Sequence, residues 1–319
     1  MCATASQSDL LDGRNVASPF DQGNETLYEA WCARKLQDYP QTLGDLVVEV
    51  KDPRRLSTAE HEALLARVRK ANMAIYVGGT GEDPDRDIPL MMGTQLGVTK
   101  LNHNWLADGD GLTSLTVDQS GARRNYIPYS NRAIKWHTDG YYNTAKEQIQ
   151  TLNLHCVSPA AEGGENRLMD HEIAYMALRN ENPDFIRALM APDAMTIPAR
   201  IDEGGTVARR EEAGPVFSIC PGTGNLHMRY TIREHNVVWK GDAVTRDAVA
   251  YLENLLESDS PYIFRGRLEP GMGLVSTNVL HDRAAFSDDE AHVRLIYRAR
   301  YFDRIKGADL SDVYPDLFG

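Results

Sequence analysis

The chain predicts a mainly β protein with flanking helices, a sandwich or barrel of the jelly-roll kind, on three observations. Short β-rich runs recur from residue 113 onward: TSLTV (113–117), IQTLNLHCV (149–157), GPVFSIC (214–220), LHMRYTI (226–232), GLVSTNVL (273–280) and VRLIYRARYF (293–302). Turn-forming residues separate these runs, which is the signal of many short strands. Only two helical stretches interrupt them, around 171–190 and 243–257.

The elements before residue 113 follow in order. LVVEV (46–50) reads as a strand. In LSTAEHEALLARVRKAN (56–72), Ser57 with Glu60 three residues on forms a capping box that opens a helix. Leu64, Leu65 and Val68 supply its apolar stripe. MAIYVGG (73–79) reads as a buried strand ended by glycines, and 78–89 (GGTGEDPDRDIP) as a loop. That loop is no phosphate cradle, since no Gly-Lys-Ser/Thr follows and its acidic residues repel phosphate. The polar, aperiodic first 25 residues read as a mobile arm, and 26–319 as a single decorated domain without repeats or a Gly/Ser/Pro linker.

Composition limits the partners. With 46 acidic against 34 basic residues the formal charge is -12, which disfavours nucleic acid and anionic membrane. No apolar run approaches a membrane span, and the start lacks the basic end and apolar stretch of a secretory signal, so a cytoplasmic protein is expected. Cys2, Cys32, Cys156 and Cys220 lack CxxC spacing, which points to reduced thiols rather than a zinc knuckle. A homo-oligomer is the expected state for a cytoplasmic protein of this size.

Chemistry concentrates in three places. In WHTDGYYN (136–143), His137 and Asp139 sit two apart, so in an extended strand both project from one face. They are two ligands for a divalent metal or a hydrogen-bonded surface pair, and the tripeptide alone does not decide. In NVLHDRAAF (278–286), His281 closes a strand entered through EPGMG (269–273), and only tertiary folding brings it to His137. In VRLIYRAR (293–300), a strand would place Arg294, Ile296, Arg298 and Arg300 on one face and Val293, Leu295, Tyr297 and Ala299 on the other. The arginine face is either solvated surface or the inside of a barrel, where it needs anions, because an unpaired buried charge is very costly. Arg294 and Arg298 lie about 13 Å apart along such a strand, and their forks could converge on a small diacid.

Taken in order, WHTDG, GGENRLMD (163–170), LHDRAAF (280–286) and VRLIYR (293–298) resemble the Fe(II)/2-oxoglutarate-dependent dioxygenases, in the branch of taurine dioxygenase and gamma-butyrobetaine hydroxylase. The resemblance runs from about residue 43 to 303. It implies a double-stranded β-helix (jelly-roll) core with Fe(II) held by His137, Asp139 and His281. Such a facial triad leaves open positions for 2-oxoglutarate and O2. It further implies that Arg294 pairs with the far C5 carboxylate of 2-oxoglutarate. Arg298 would lie near its C1 carboxylate or the substrate. Asn166 stands where taurine dioxygenase-like chains place threonine, and its amide could donate to the C5 carboxylate. The implied activity couples decarboxylation of 2-oxoglutarate to succinate with hydroxylation, or a related C–H oxidation, of a small polar metabolite. Asp139 fills the position halogenases leave vacant for halide.

Two alternatives remain open on the residues alone. A zinc hydrolase could use the same three ligands, though it leaves the arginines after His281 without a role. A non-catalytic jelly-roll binding protein could keep the fold. Tyr141 and Tyr142 either line a substrate pocket or pack at the barrel mouth. His155, His227 and His235 read as core histidines, His171 as a helix-start residue and Cys156 as an inert buried thiol. Arg229 and Arg233 read as salt-bridged surface or as contacts to an anionic substrate.

Overall fold

The computed structural model describes residues 16–103, 107–118, 123, 126–201, 204–233 and 237–318. Two sheets and their flanking helices position the site. The larger sheet runs, in spatial order, Val47–Val50, Met73–Gly78, Met272–Ser276, Thr151–Ser158, Leu295–Tyr301 and Thr113–Leu115. Its first pair is parallel and the remaining pairs are antiparallel. The smaller sheet runs Phe264–Gly266, Asn166–Met169, Leu280–Arg283 and Ile134–His137, antiparallel throughout.

Period-2 alternation divides each strand of the larger sheet between two apolar clusters. Ile75, Leu154, Leu274 and Ile296 point inward, into one cluster with Trp136, Leu168, Phe264 and Leu280 of the smaller sheet. Ala74, Tyr76, Val275, Ala299 and Tyr301 point outward, against Leu64, Leu65 and Val68 of the Thr58–Ala71 helix and against Met92 and Leu96. The expected capping box opens that helix, with Ser57 Oγ accepting from the Glu60 N–H and Glu60 from the Ser57 N–H. The inward face of Leu295–Tyr301 therefore carries Arg298 and Arg300 into the space between the sheets, and not into solvent.

Several expected elements differ. The run 273–280 is not one strand: it leaves the larger sheet at Ser276, turns at Asn278 (φ 61°) and enters the smaller sheet at Leu280. The helical stretch 171–190 is two helices, His171–Glu181 and Pro183–Leu189. Pro183 has no N–H to continue the first, and the Asn182 side chain caps the second. The stretch 78–89, expected as loop, yields to a helix at Asp87–Gln95. Pro89 sits in its first turn, where a missing N–H costs nothing. Of the expected arm, the part from Ser18 is docked rather than mobile. Phe20 is fully buried between Trp31 of the Glu25–Leu36 helix and Tyr175, at centroid distances of 4.9 and 5.2 Å. Apolar burial of that ring outweighs the polarity of the flanking sequence. Among the described residues no helix is long and apolar enough to cross a membrane.

Candidate active site

His137 ends one strand of the smaller sheet, and His281 is its cross-strand partner on the next. Their ring centroids lie 4.3 Å apart. Each Nδ1 stands 2.9 Å from a main-chain carbonyl two residues earlier, Lys135 for one and Val279 for the other. A carbonyl can only accept, so each Nδ1 carries a proton, and in the neutral ring Nε2 is the nitrogen that keeps a lone pair. Burial first, and His281 second, pull His137 down to about 3, so it is neutral as a metal ligand must be.

Asp139 lies just past the end of the His137 strand and is 5% exposed. Its Oδ1 accepts from Nη1 of Arg298 at 3.1 Å and of Arg300 at 3.5 Å, both on the last strand of the larger sheet. Burial would raise this carboxyl, yet the two guanidinium groups outweigh it and hold the group well below the usual carboxylate range. Asp139 Oδ2 is buried with no hydrogen-bond partner. Among the described residues no three His, Cys, Asp or Glu side chains stand as a ready-made ligand cluster, and Asp139 leans on the arginines. The donor set still fits a divalent ion: two unprotonated imidazole nitrogens and an orphaned carboxylate oxygen, on residues that two paired strands bring together.

Arg300 is a site residue that sequence reasoning passed over. It is 3% exposed, and besides Asp139 it donates to the Tyr142 hydroxyl (2.9 Å) and to Asn102 Oδ1 (2.7 Å). Its signal was its place on the face shared with Arg294 and Arg298.

Arg294 lies at the other end of that face. It is 6% exposed, has no ion-pair partner among the described residues, and keeps Nη1 buried and unbonded. The nearby Asp288 carboxylate accepts from its main-chain N–H, and its guanidinium sits 5.1 Å over the Phe286 ring. Burial lowers Arg294 to about 10, which leaves it charged at neutral pH. It faces a narrow cleft lined by Gly163, Gly164, Asn166, Arg267 and Ile296. Gly163 (φ 74°) is required there, since a Cβ would lie 2.3 Å from the Ala285 carbonyl oxygen. Asn166 lines both this cleft and an apolar cavity between the sheets, with one amide hydrogen given to the Asp282 carbonyl at 2.6 Å.

The remaining candidates fall to either side. Tyr141 and Tyr142 pack edge to face at 5.3 Å, with the Arg209 guanidinium 5.6 Å from the Tyr142 ring. Arg229 is neither salt-bridged surface nor free for an anion, because its three nitrogens donate to the carbonyls of Tyr141, Met195 and Glu212. Arg233 is half-buried beside Tyr141. His155 is a core histidine stacked on Tyr76, whose hydroxyl meets its Nδ1 at 3.0 Å. His227 is buried, and burial holds it down to about 3. His171 is the first residue of its helix, but Asp170 supplies the cap. Burial pushes the Cys156 thiol up to about 12, in line with an inert role. His235 lies outside the described residues.

Uridine-5'-phosphate dioxygenase of Amycolatopsis sp is 34% identical over 176 residues, covering 52% of this chain and 60% of that protein. Among solved structures, a taurine dioxygenase from Burkholderia xenovorans matches 82% of this chain and 89% of its own, with a TM-score of 0.53 and 19% identity. An asparagine oxygenase in complex with Fe(II), 2S,3S-3-hydroxyasparagine and succinate matches 88% and 92%, with a TM-score of 0.53 and 14% identity. These two share the fold of mixed sheets with flanking helices. Residues 106–299, more than half of the chain, match the family described as taurine catabolism dioxygenase TauD, TfdA family, and the chain belongs to that family.

Proposed function

We propose that this chain is an Fe(II)- and 2-oxoglutarate-dependent dioxygenase acting on a small polar metabolite, within one domain whose two facing sheets form a double-stranded β-helix. The observation that carries this reading is the unpartnered Asp139 Oδ2 beside two histidines whose Nδ1 atoms face main-chain carbonyls, together with the buried, unbonded Nη1 of Arg294. His137, Asp139 and His281 would hold the iron through Nε2, Oδ2 and Nε2. Arg294 would receive the far carboxylate of 2-oxoglutarate, with Asn166 and the two glycines shaping that end. When bound, iron and keto acid supply oxidative decarboxylation coupled to oxidation of a substrate C–H bond. The protein's part is to hold both imidazoles in one tautomer, keep Asp139 ionised through Arg298 and Arg300, and exclude water with the apolar inner faces. A zinc hydrolase would need no unpaired guanidinium at the far end of the strand.

Tyr141, Tyr142, Arg209 and Arg233 make an aromatic, cationic rim that suits an anionic substrate, and uridine 5'-phosphate leads the panel because a relative is named for it. The unbridged thiols Cys32 and Cys156 suit a reducing cytoplasm, and a homo-oligomer is the assembly we expect. The test is anaerobic addition of Fe(II) and 2-oxoglutarate, which should give a weak visible charge-transfer band, followed by a succinate-release screen of nucleotides, amino acids and amines. No band at saturating ligand would reject the oxygenase.

A further inference from the structure

We infer that Asn278 is a positioning residue that fixes the Asp139 peptide in the orientation metal binding requires. The inference rests on Asp139 being an iron ligand. Asn278 is 2% exposed and clamps Asp139 from both sides of its main chain. Its Oδ1 accepts from the Asp139 N–H at 2.8 Å, and its Nδ2 donates to the Asp139 carbonyl at 2.9 Å. The second amide hydrogen goes to the Ile149 carbonyl at 2.8 Å, which ties in the far end of the loop that follows Asp139. The amide's three bonds use both of its donors and its carbonyl oxygen.

The backbone of Asn278 adds a second requirement. It occupies the left-handed region at φ 61°, where asparagine is tolerated far better than branched or bulky residues. That turn carries the chain out of the larger sheet at Ser276 and into the smaller sheet at Leu280, one residue before His281. One side chain thus joins the strand crossing that delivers the distal histidine to the peptide that carries the carboxylate. Asp139 is pulled by Arg298 and Arg300 through Oδ1. With its main chain held by Asn278, that pull rotates the carboxylate about a fixed Cα and leaves Oδ2 for the ion. Without the clamp, a buried N–H and two buried carbonyls lose their partners, and the whole peptide is free to follow the guanidinium groups.

Asn72 provides a matched control. It is also a buried asparagine in the left-handed region (φ 60°), with Nδ2 bonded to Asp170 Oδ1 and Oδ1 to the Thr277 hydroxyl, but it does not touch Asp139. The experiment is an anaerobic Mn(II) titration followed by electron paramagnetic resonance, on wild type, Asn278→Gly, Asn72→Gly and Asp139→Ala. Glycine accepts the positive φ, so the amide bonds are removed without backbone strain. Outer partners of metal ligands typically contribute roughly 10–100-fold in affinity. Asn278→Gly should weaken Mn(II) by about that factor with its circular dichroism retained, while Asn72→Gly lowers Tm and leaves Mn(II) affinity within about twofold. Should the glycine variant not fold, Asn278→Ser takes its place under the same criterion. Wild-type affinity in the folded Asn278 variant, or an equal loss in Asn72→Gly, overturns the inference. Wild-type affinity in Asp139→Ala overturns instead the ligand assignment beneath it.

Discussion

Arg298 and Arg300 of the Leu295–Tyr301 strand differ in one respect from Arg294, which immediately precedes it. At one end Arg298 and Arg300 meet a carboxylate of the same chain, Asp139, and Arg300 is further bonded by Tyr142 and Asn102. At the other end Arg294 is as deeply buried but has no carboxylate paired with it among the described residues. The first two cations share a carboxylate within the protein and organise a ligand. The third is a standing cost that an anion from outside must offset. Burial alone therefore does not tell a structural arginine from a binding one; the partner does.

The comparison makes opposite predictions for the two ends. Arg300→Met strips a bond each from Asp139, Tyr142 and Asn102, and should destabilise the protein by about 3 kcal/mol, near the low end for a broken buried pair because Arg298 remains. Urea denaturation would measure it, and a loss under about 1 kcal/mol would mean the network is loose. Arg294→Met should do the reverse, leaving the apoprotein as stable or about 1 kcal/mol more so, since an uncompensated charge is removed. The same substitution should raise KM for 2-oxoglutarate roughly a hundredfold, the worth of about 3 kcal/mol of charge-assisted bonds. 2-Oxoglutarate at about a hundred times the wild-type Kd should add about 2.7 kcal/mol to wild type but only about 0.4 kcal/mol to this variant. Equal stabilisation of both by ligand would place the keto acid elsewhere. Tyr142→Phe, which removes one acceptor of Arg300, should cost only about 1 kcal/mol, and a much larger effect on turnover than on stability would place the hydroxyl against substrate.

Local signals carried much of this protein. The capping box at Ser57 and Glu60, the buried run 73–78, and the alternation that puts Arg294, Arg298 and Arg300 on one face all depend on neighbours within a few residues. So did the order of motifs that points to the family. Where the local reading failed, a longer-range contact had decided. Phe20 looked like part of a polar arm until Trp31 and Tyr175 closed over it. Arg229 looked like a surface cation, but three carbonyls from separate segments surround it.

By itself the sequence determined the β-rich class, the histidines and the carboxylate, and the shared face of the arginines, because side-chain period and residue chemistry are local properties. Only the tertiary structure decided that this face looks inward and that Arg298 and Arg300 are paired while Arg294 is not. It also decided that the chain changes sheets at Asn278. Those outcomes depend on which distant groups fill the space opposite each side chain, and a linear pattern does not carry that information.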